Sequence, residues 1–417
     1  MKKLINILYI TYIIITMDTI TKLGLCGFRN IGNTCYMNSV LQLLIHCKLL
    51  ILFTIKKNDG HSQYEKYIHQ ASRLRTSEEH KNTNDDVINN ISNEDIQAFI
   101  DTSFIDKLSD IINIVVNKGM CNISPKEFKR VIDKKIPSFR GYSQQDAHEL
   151  LIHIFDSIID ETGIYSDASI NNIPEEVNRF LLMNEDFKNR MKTTTNKDER
   201  RQILETLIRY RRQNKHNIDK YNGLLYMIKI YKERYNPFIY QLKTIILNTI
   251  VCNNCGDIII KYEDTTVLSI PVKNTLGECL EAYIDTDIVE EYFCSMCNSN
   301  QQINKTAKIW NNPMILFIHL KRFKHLDNGR IVKDNTHIDI PFEFDIRPYC
   351  DDSMMNQNNN YIYKLKGMSN HHGSTSGGHY TADCCCIVDG IILMTLMCLD
   401  IQIIILILLM LIYLCMN

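Results

Sequence analysis

The chain has 417 residues, a formal net charge of −1, 45% hydrophobic residues and 23% charged residues. That much apolar surface offsets the entropy of ordering a chain and excludes a disordered tail protein. The near-zero charge excludes a global attraction to nucleic acid or an anionic membrane, and the length suits one large domain or two to three ordinary ones.

Both ends are more apolar than the middle. Lys2 and Lys3 precede an apolar run from Leu4 to Met17, as in a secretory signal. The run has no small-residue cleavage site and is short for a bilayer. Met17-Asp18-Thr19-Ile20 reads as an ordinary cytosolic start, so residues 1–16 are taken as an extension ahead of a domain spanning 17–390. From Gly24 to Lys48 a turn-rich opening gives way to a helix, with Val40, Leu41, Leu43, Leu44 and Cys47 expected on one face. Residues 56–120 are polar and Asn-rich, with an amphipathic piece from Phe104 to Val116. A second strong helix is predicted over Gln144–Ile159, where Ala147, Leu150, Leu151, Ile154 and Ile158 recur at three and four.

Residues 188–234 hold 14 Lys/Arg against 5 Asp/Glu, a local balance of +9. They read as a solvated insertion of charged helices. A docking surface for an acidic partner is the functional alternative, and no aromatic or recognition pattern points to nucleic acid. Beyond Leu242 the period changes to two, and strands are expected at Leu242–Val251, Ile258–Ile270 and Met314–Leu320. Helices first and strands after argue for an α+β fold. The last segment, 391–417, is nearly all Ile, Leu and Met. It has the length of a membrane anchor, but Asp400 and Gln402 would sit in hydrocarbon.

Four residue groups carry chemistry. Cys35 lies between a Gly/Asn turn and a helix, where the helix dipole and unpaired N–H groups favour a thiolate and can bind an oxyanion. Asn30, five residues earlier, offers a side-chain donor. His379 stands in a Gly/Ser-rich loop after Gly377 and Gly378, and could deprotonate Cys35 and protonate a leaving amine. Cys first and His far downstream is the papain-type order. Cys252-x-x-Cys255 and Cys294-x-x-Cys297 sit at strand ends, and four thiolates suit a closed tetrahedral structural Zn²⁺ site. With 15 cysteines in a chain of this size, these pairs point to a reducing compartment and away from a disulfide framework.

These residues carry a resemblance. Gly27-Phe28-Arg29-Asn30-Ile31-Gly32-Asn33-Thr34-Cys35-Tyr36-Met37-Asn38-Ser39 resembles the Cys box of the ubiquitin-specific proteases. Gln144-Gln145-Asp146-Ala147-His148-Glu149-Leu150-Leu151 is similar to that family's second box. His319-Leu320-Lys321-Arg322-Phe323 resembles its strand motif, and His371-His372-Gly373 with Gly377-Gly378-His379-Tyr380-Thr381-Ala382 its His box. The resemblance implies a papain-like fold of thumb, palm and zinc-bearing fingers, the last at about 242–312, in a cytoplasmic or nuclear deubiquitinase. It implies Cys35 as nucleophile, His379 as base and acid, and Asn30 as oxyanion donor. Gln145 and Asp146 would hold the ubiquitin tail, and Gly377 and Gly378 would line its channel. Ubiquitin and its conjugates are the implied partners, with no nucleic acid.

The match breaks after Val388-Asp389-Gly390. The family places an Asp or Asn on the next strand to orient the His, yet Ile391-Ile392-Leu393-Met394-Thr395-Leu396-Met397 contains neither. Asp389 comes early and Asp400 late. A shifted reading frame near 384–390 is one explanation. If the tail is genuine, the final palm strands are incomplete, and the chain is either a weakened enzyme, a ubiquitin-binding protein of the same fold, or a tail-anchored form.

Overall fold

A computed structural model of the chain describes residues 26–54, 64, 65, 67, 68, 99, 100, 102–118, 121–166, 169, 170, 173–193, 196–232, 234–311, 313–326, 328–353, 361–374, 377–388 and 391–397. The extension at 1–16, Asp389, Gly390 and residues 398–417, Asp400 among them, lie outside these. The chain divides into two compact units. One joins the residues up to Ile164 to those from Leu365 onward; the other is the intervening stretch Tyr165–Lys364.

The first unit opens with β1 (Cys26–Phe28), followed by α1 (Cys35–Ile45), α2 (Lys48–Thr54), α3 (Phe104–Lys118) and β2 (Cys121–Ile123), the parallel partner of β1. Of the α1 residues only Leu43 is not buried. Truncating a core leucine such as Leu41 to Ala would cost about 2–5 kcal/mol. Polar Asn38 and Gln42, four apart and so on one helix face, reach back to the strand. Asn38 Nδ2 donates to the Arg29 carbonyl at 3.3 Å, and Gln42 Nε2 to that of Cys26 at 2.8 Å. These bonds satisfy buried backbone groups and fix the loop that leads into Cys35.

Next come α4 (Lys126–Lys135) and α5 (Ala147–Thr162). Glu161, buried near the end of α5, accepts hydrogen bonds from the N–H groups of Phe104 and Ile105 at 2.9 and 3.0 Å. A carboxylate there complements the positive end of the α3 dipole.

The second unit begins with α6 (Glu175–Thr193), α7 (Lys197–Gln213), α8 (Lys215–Lys232) and the short α9 (Pro237–Tyr240). Strands β3 (Thr244–Cys252), β4 (Ile258–Thr265) and β5 (Val267–Ile270) follow, then α10 (Leu276–Ile284), β6 (Asp287–Cys294), β7 (Ser299–Ile309) and β8 (Phe317–Leu320). An antiparallel sheet has the order β4-β3-β7-β6, and β5 pairs with β8 in parallel. The single strand expected over Ile258–Ile270 is broken at Thr266. The Thr265 hydroxyl bonds both the N–H and the carbonyl of Val267, competing with the ladder. Two small antiparallel pairs complete the unit: β9 (Phe323–His325) with β10 (Ile331–Lys333), and β11 (Glu343–Asp345) with β12 (Ile362–Lys364).

The basic stretch is not simply a solvated arm. Its last helix, α8, buries Ile218, Tyr221 and Gly223. A Cβ on Gly223 would fall 2.1 Å from the Trp310 ring, and Trp310, 1% exposed, donates to Ser353 Oγ at 3.0 Å. Arg211 and Lys215 pair with buried Asp219 at 2.6 and 3.1 Å, so two of the cations serve the interior.

The chain then re-enters the first unit as an antiparallel sheet, β13 (Gly367–Ser374), β14 (Gly377–Val388) and β15 (Ile391–Met397). Val388 pairs with Ile391 and Ala382 with Met397. The start of the apolar tail is therefore a strand. No helix among the described residues is long and apolar enough to cross a membrane. Cys26, fully buried in β1, is disulfide-bonded, whereas Cys35 and the four paired cysteines are free thiols.

Candidate active site and thiol cluster

Cys35 is the first residue of α1 and is 4% exposed. The residues before it form a tight loop with Gly32 at φ 118° and Asn33 at φ 48°. The Asn30 carboxamide organises that loop. Its Oδ1 accepts from the N–H groups of Gly32 (3.2 Å) and Thr34 (3.1 Å) and from the Thr34 hydroxyl (3.1 Å). Because the oxygen is committed to three donors, the amide orientation is set and Nδ2 remains on the other side as a donor. The N–H groups of the first helical turn, Cys35's own among them, have no partner within the helix.

A second loop closes over the first. Lys129 and Asp133 form an ion pair, and their side chains hold the Phe139 carbonyl at 3.1 Å and the Gly141 N–H at 3.2 Å. The exposed Tyr142 ring covers Gly32, where a Cβ would lie 2.6 Å from it, and the Tyr142 carbonyl accepts from Asn33 Nδ2 at 2.9 Å. Gln145 Nε2 donates to the Ser138 carbonyl at 2.9 Å. Asp146 is the N-cap of α5, its Oδ1 accepting from the N–H groups of His148 (2.6 Å) and Glu149 (3.1 Å). Both residues expected to hold a substrate tail thus also have local structural bonds.

His379 lies on β14, opposite His372 of β13. One turn along α1 from Cys35, Ser39 Oγ meets Ser369 Oγ of β13 at 3.1 Å, so the helix is docked on this hairpin. The Tyr380 hydroxyl is pushed up to about 12 by burial, with Asp146 and Cys35 adding to the shift. The nucleophile candidate, the N-cap carboxylate and the residue after His379 therefore share one electrostatic neighbourhood. No hydrogen bond among the described residues joins Cys35 to His379, a common situation before substrate tightens a site. The two expected channel glycines differ. A Cβ on Gly378 would fall 2.3 Å from both His371 Nε2 and the His372 carbonyl, whereas one on Gly377 would meet only Gln144 Oε1, at 3.5 Å. The pairing of β14 with β15 is described only for Ala382–Val388, and Asp389 and Asp400 lie outside the described residues.

Sequence reasoning left Gln144 without a role. Its Nε2 donates to the Gly378 carbonyl and its Oε1 accepts from the Gly378 N–H, each at 2.8 Å. A glutamine two residues before a helix cap carries no local signal for a bond to a strand 234 positions away.

In the second unit, pairing of β3 with β7 sets two turns side by side, since Cys252 is opposite Ile303. Cys252 ends β3 and Cys294 ends β6; Cys255 and Cys297 lie in the turns that follow. All four sulfurs lie within 4.8 Å of one another. Burial pushes the Cys255 and Cys294 thiols up, so four thiolates gathered here need a compensating cation. This donor set can hold a metal, and its softness and closed geometry fit Zn²⁺.

Residues 26–390 match the family described as ubiquitin carboxyl-terminal hydrolase. The chain belongs to that family. Human ubiquitin carboxyl-terminal hydrolase 2 is 26% identical over 378 residues, covering 88% of this chain and 50% of the human protein. A probable ubiquitin carboxyl-terminal hydrolase of Acanthamoeba polyphaga mimivirus is 26% identical over 389 residues, covering 86% of this chain and 82% of its own. The fold is shared with the SAGA Ubp8/Sgf11/Sus1/Sgf73 DUB module bound to ubiquitin aldehyde. That match has a TM-score of 0.52 and 22% identity, and covers 90% of this chain and 66% of the solved one. The chain spans about half the length of the human, bovine and rat hydrolases it matches.

Proposed function

We propose that this chain is a thiol-dependent deubiquitinase that hydrolyses the isopeptide or peptide bond after the C-terminal glycine of ubiquitin. The observation that carries the reading is local. Cys35 opens a buried helix that docks on the hairpin bearing His379, and the Asn30 amide is oriented by its oxygen, with no hydrogen bond from Nδ2 among the described residues. The names of the relatives support ubiquitin as the substrate. In this scheme the Cys35 thiolate attacks the carbonyl carbon of ubiquitin's last glycine. Negative charge on the carbonyl oxygen is received by Asn30 Nδ2 and the Cys35 N–H. His379 gives its proton to the departing amine as the C–N bond breaks, leaving a thioester. His379 then takes a proton from water, which attacks the thioester and returns the thiol to Cys35.

The proposed catalytic domain would span 17–390, with fingers at about 242–312, where Cys252, Cys255, Cys294 and Cys297 would hold one structural Zn²⁺. The free thiols favour a cytoplasmic or nuclear setting. One observation favours a second reading, a weak or inactive ubiquitin-binding protein. Strand β15, beside the histidine's strand, contains no carboxylate or carboxamide to orient an imidazole. A ubiquitin probe with a C-terminal electrophile separates the two. Covalent labelling that disappears in Cys35→Ala is expected of the enzyme; tight but noncovalent binding would establish the binder.

A further inference from the structure

We propose that Gln144 is a positioning residue for His379, acting through the backbone of Gly378. The inference rests on the roles proposed above for Cys35 and His379. A carboxamide is chemically a single peptide group. By pairing with both the N–H and the carbonyl of Gly378 at 2.8 Å, Gln144 reproduces what a neighbouring strand would do. In an antiparallel sheet both groups of one residue point to the same edge, so these face away from β13. On that edge the pairing of β14 with β15 stops at Ala382 among the described residues. Gln144 thus caps the edge of β14 one residue before the catalytic histidine.

Two further observations give the clamp leverage. Gln144 stands on anchored chain, because Gln145 is tied to Ser138 and Asp146 caps α5. Gly378 cannot be held by a side chain of its own, since a Cβ there meets His371 and the His372 carbonyl at 2.3 Å. Its position is therefore set through its backbone. A displacement of about 1 Å at a reacting group can reduce rate by about 10²-fold, so a loose Gly378 would be felt at His379.

The test uses two readouts on the full chain. The first is the rate at which chloroacetamide alkylates Cys35 at neutral pH, which needs no ubiquitin. His379→Ala should slow alkylation at least about tenfold, and Gln144→Ala should reproduce most of that loss with the thermal midpoint unchanged. Gln144→Glu, which keeps the acceptor and loses the donor, should fall between, and it carries the comparison if the alanine variant does not fold. The second is steady-state cleavage of ubiquitin bearing a C-terminal fluorogenic amide. Gln144→Ala should lower kcat by about ten- to a hundredfold with KM within about twofold. Slowing by His379→Ala but not by either Gln144 variant would overturn this inference and leave the proposed function standing. Indifference to His379→Ala would overturn both. A raised KM at unchanged kcat would make Gln144 a substrate-binding residue and also reject the proposal.

Discussion

Asn30 would combine two jobs in the proposed mechanism. Its oxygen holds the loop before Cys35, and its nitrogen is the proposed donor to the developing oxyanion. Substitution separates them. Asn30→Ala removes both; Asn30→Asp keeps the acceptor and removes the donor. Both should lower kcat by about 10²–10³-fold, the usual effect of losing an oxyanion donor. Only the alanine variant should also lower the melting midpoint. Equal kcat for Asn30→Asp and the parent would remove Asn30 from the mechanism. Cys35, His379 and Asn30 could be proposed from the sequence because motif and helix-start chemistry are local. Gln144 was not, because its role is defined by a backbone group on a distant strand.

The helices and most of the later strands could be read from periodicity, since burying one face imposes a period of 3.6 or 2 on the residues themselves. The exceptions have a common cause. A seven-residue run such as Ile391–Met397 is apolar without a period, and only its register against β14 makes it a strand. Charge misleads in α8 for a similar reason: the local excess of Lys and Arg hides a face shaped around Trp310. Gly223 is the narrowest point of that face. Gly223→Ala would place a methyl against a ring already packed, where overpacking destabilises by about 1–3 kcal/mol. Thermal unfolding of Gly223→Ala should show a clear drop in midpoint, and Gly329→Ser, in an exposed turn with nothing within 4 Å of a Cβ, a smaller one reflecting only its positive φ. Similar drops would mean that the helix is not seated on Trp310.

At the scale of the whole chain, chemistry is divided between the two units. The candidate nucleophile, base and oxyanion donor all belong to the first, and the thiol cluster to the second. Removing the proposed zinc should therefore act mainly on the second unit. With a strong chelator, or in Cys255→Ser, proteolysis is expected to open between about 287 and 309 while chloroacetamide still alkylates Cys35 at the parental rate. Metal analysis should find one zinc per chain in the parent and a large loss in the variant. A zinc-free parent with an equally resistant second unit would remove the metal from the proposal. The division into units has another consequence, which concerns time. Cys35 and His379 sit on either side of the entire second unit, some 340 residues apart in the chain. A ribosome adding ~5–20 residues per second needs on the order of 20–70 s to travel from one to the other. For that interval the nascent chain carries Cys35 without His379. If the proposed function holds, hydrolysis would have to wait until the second unit has been made and the closing hairpin has docked, and conjugates near the translating ribosome would not meet a half-made protease.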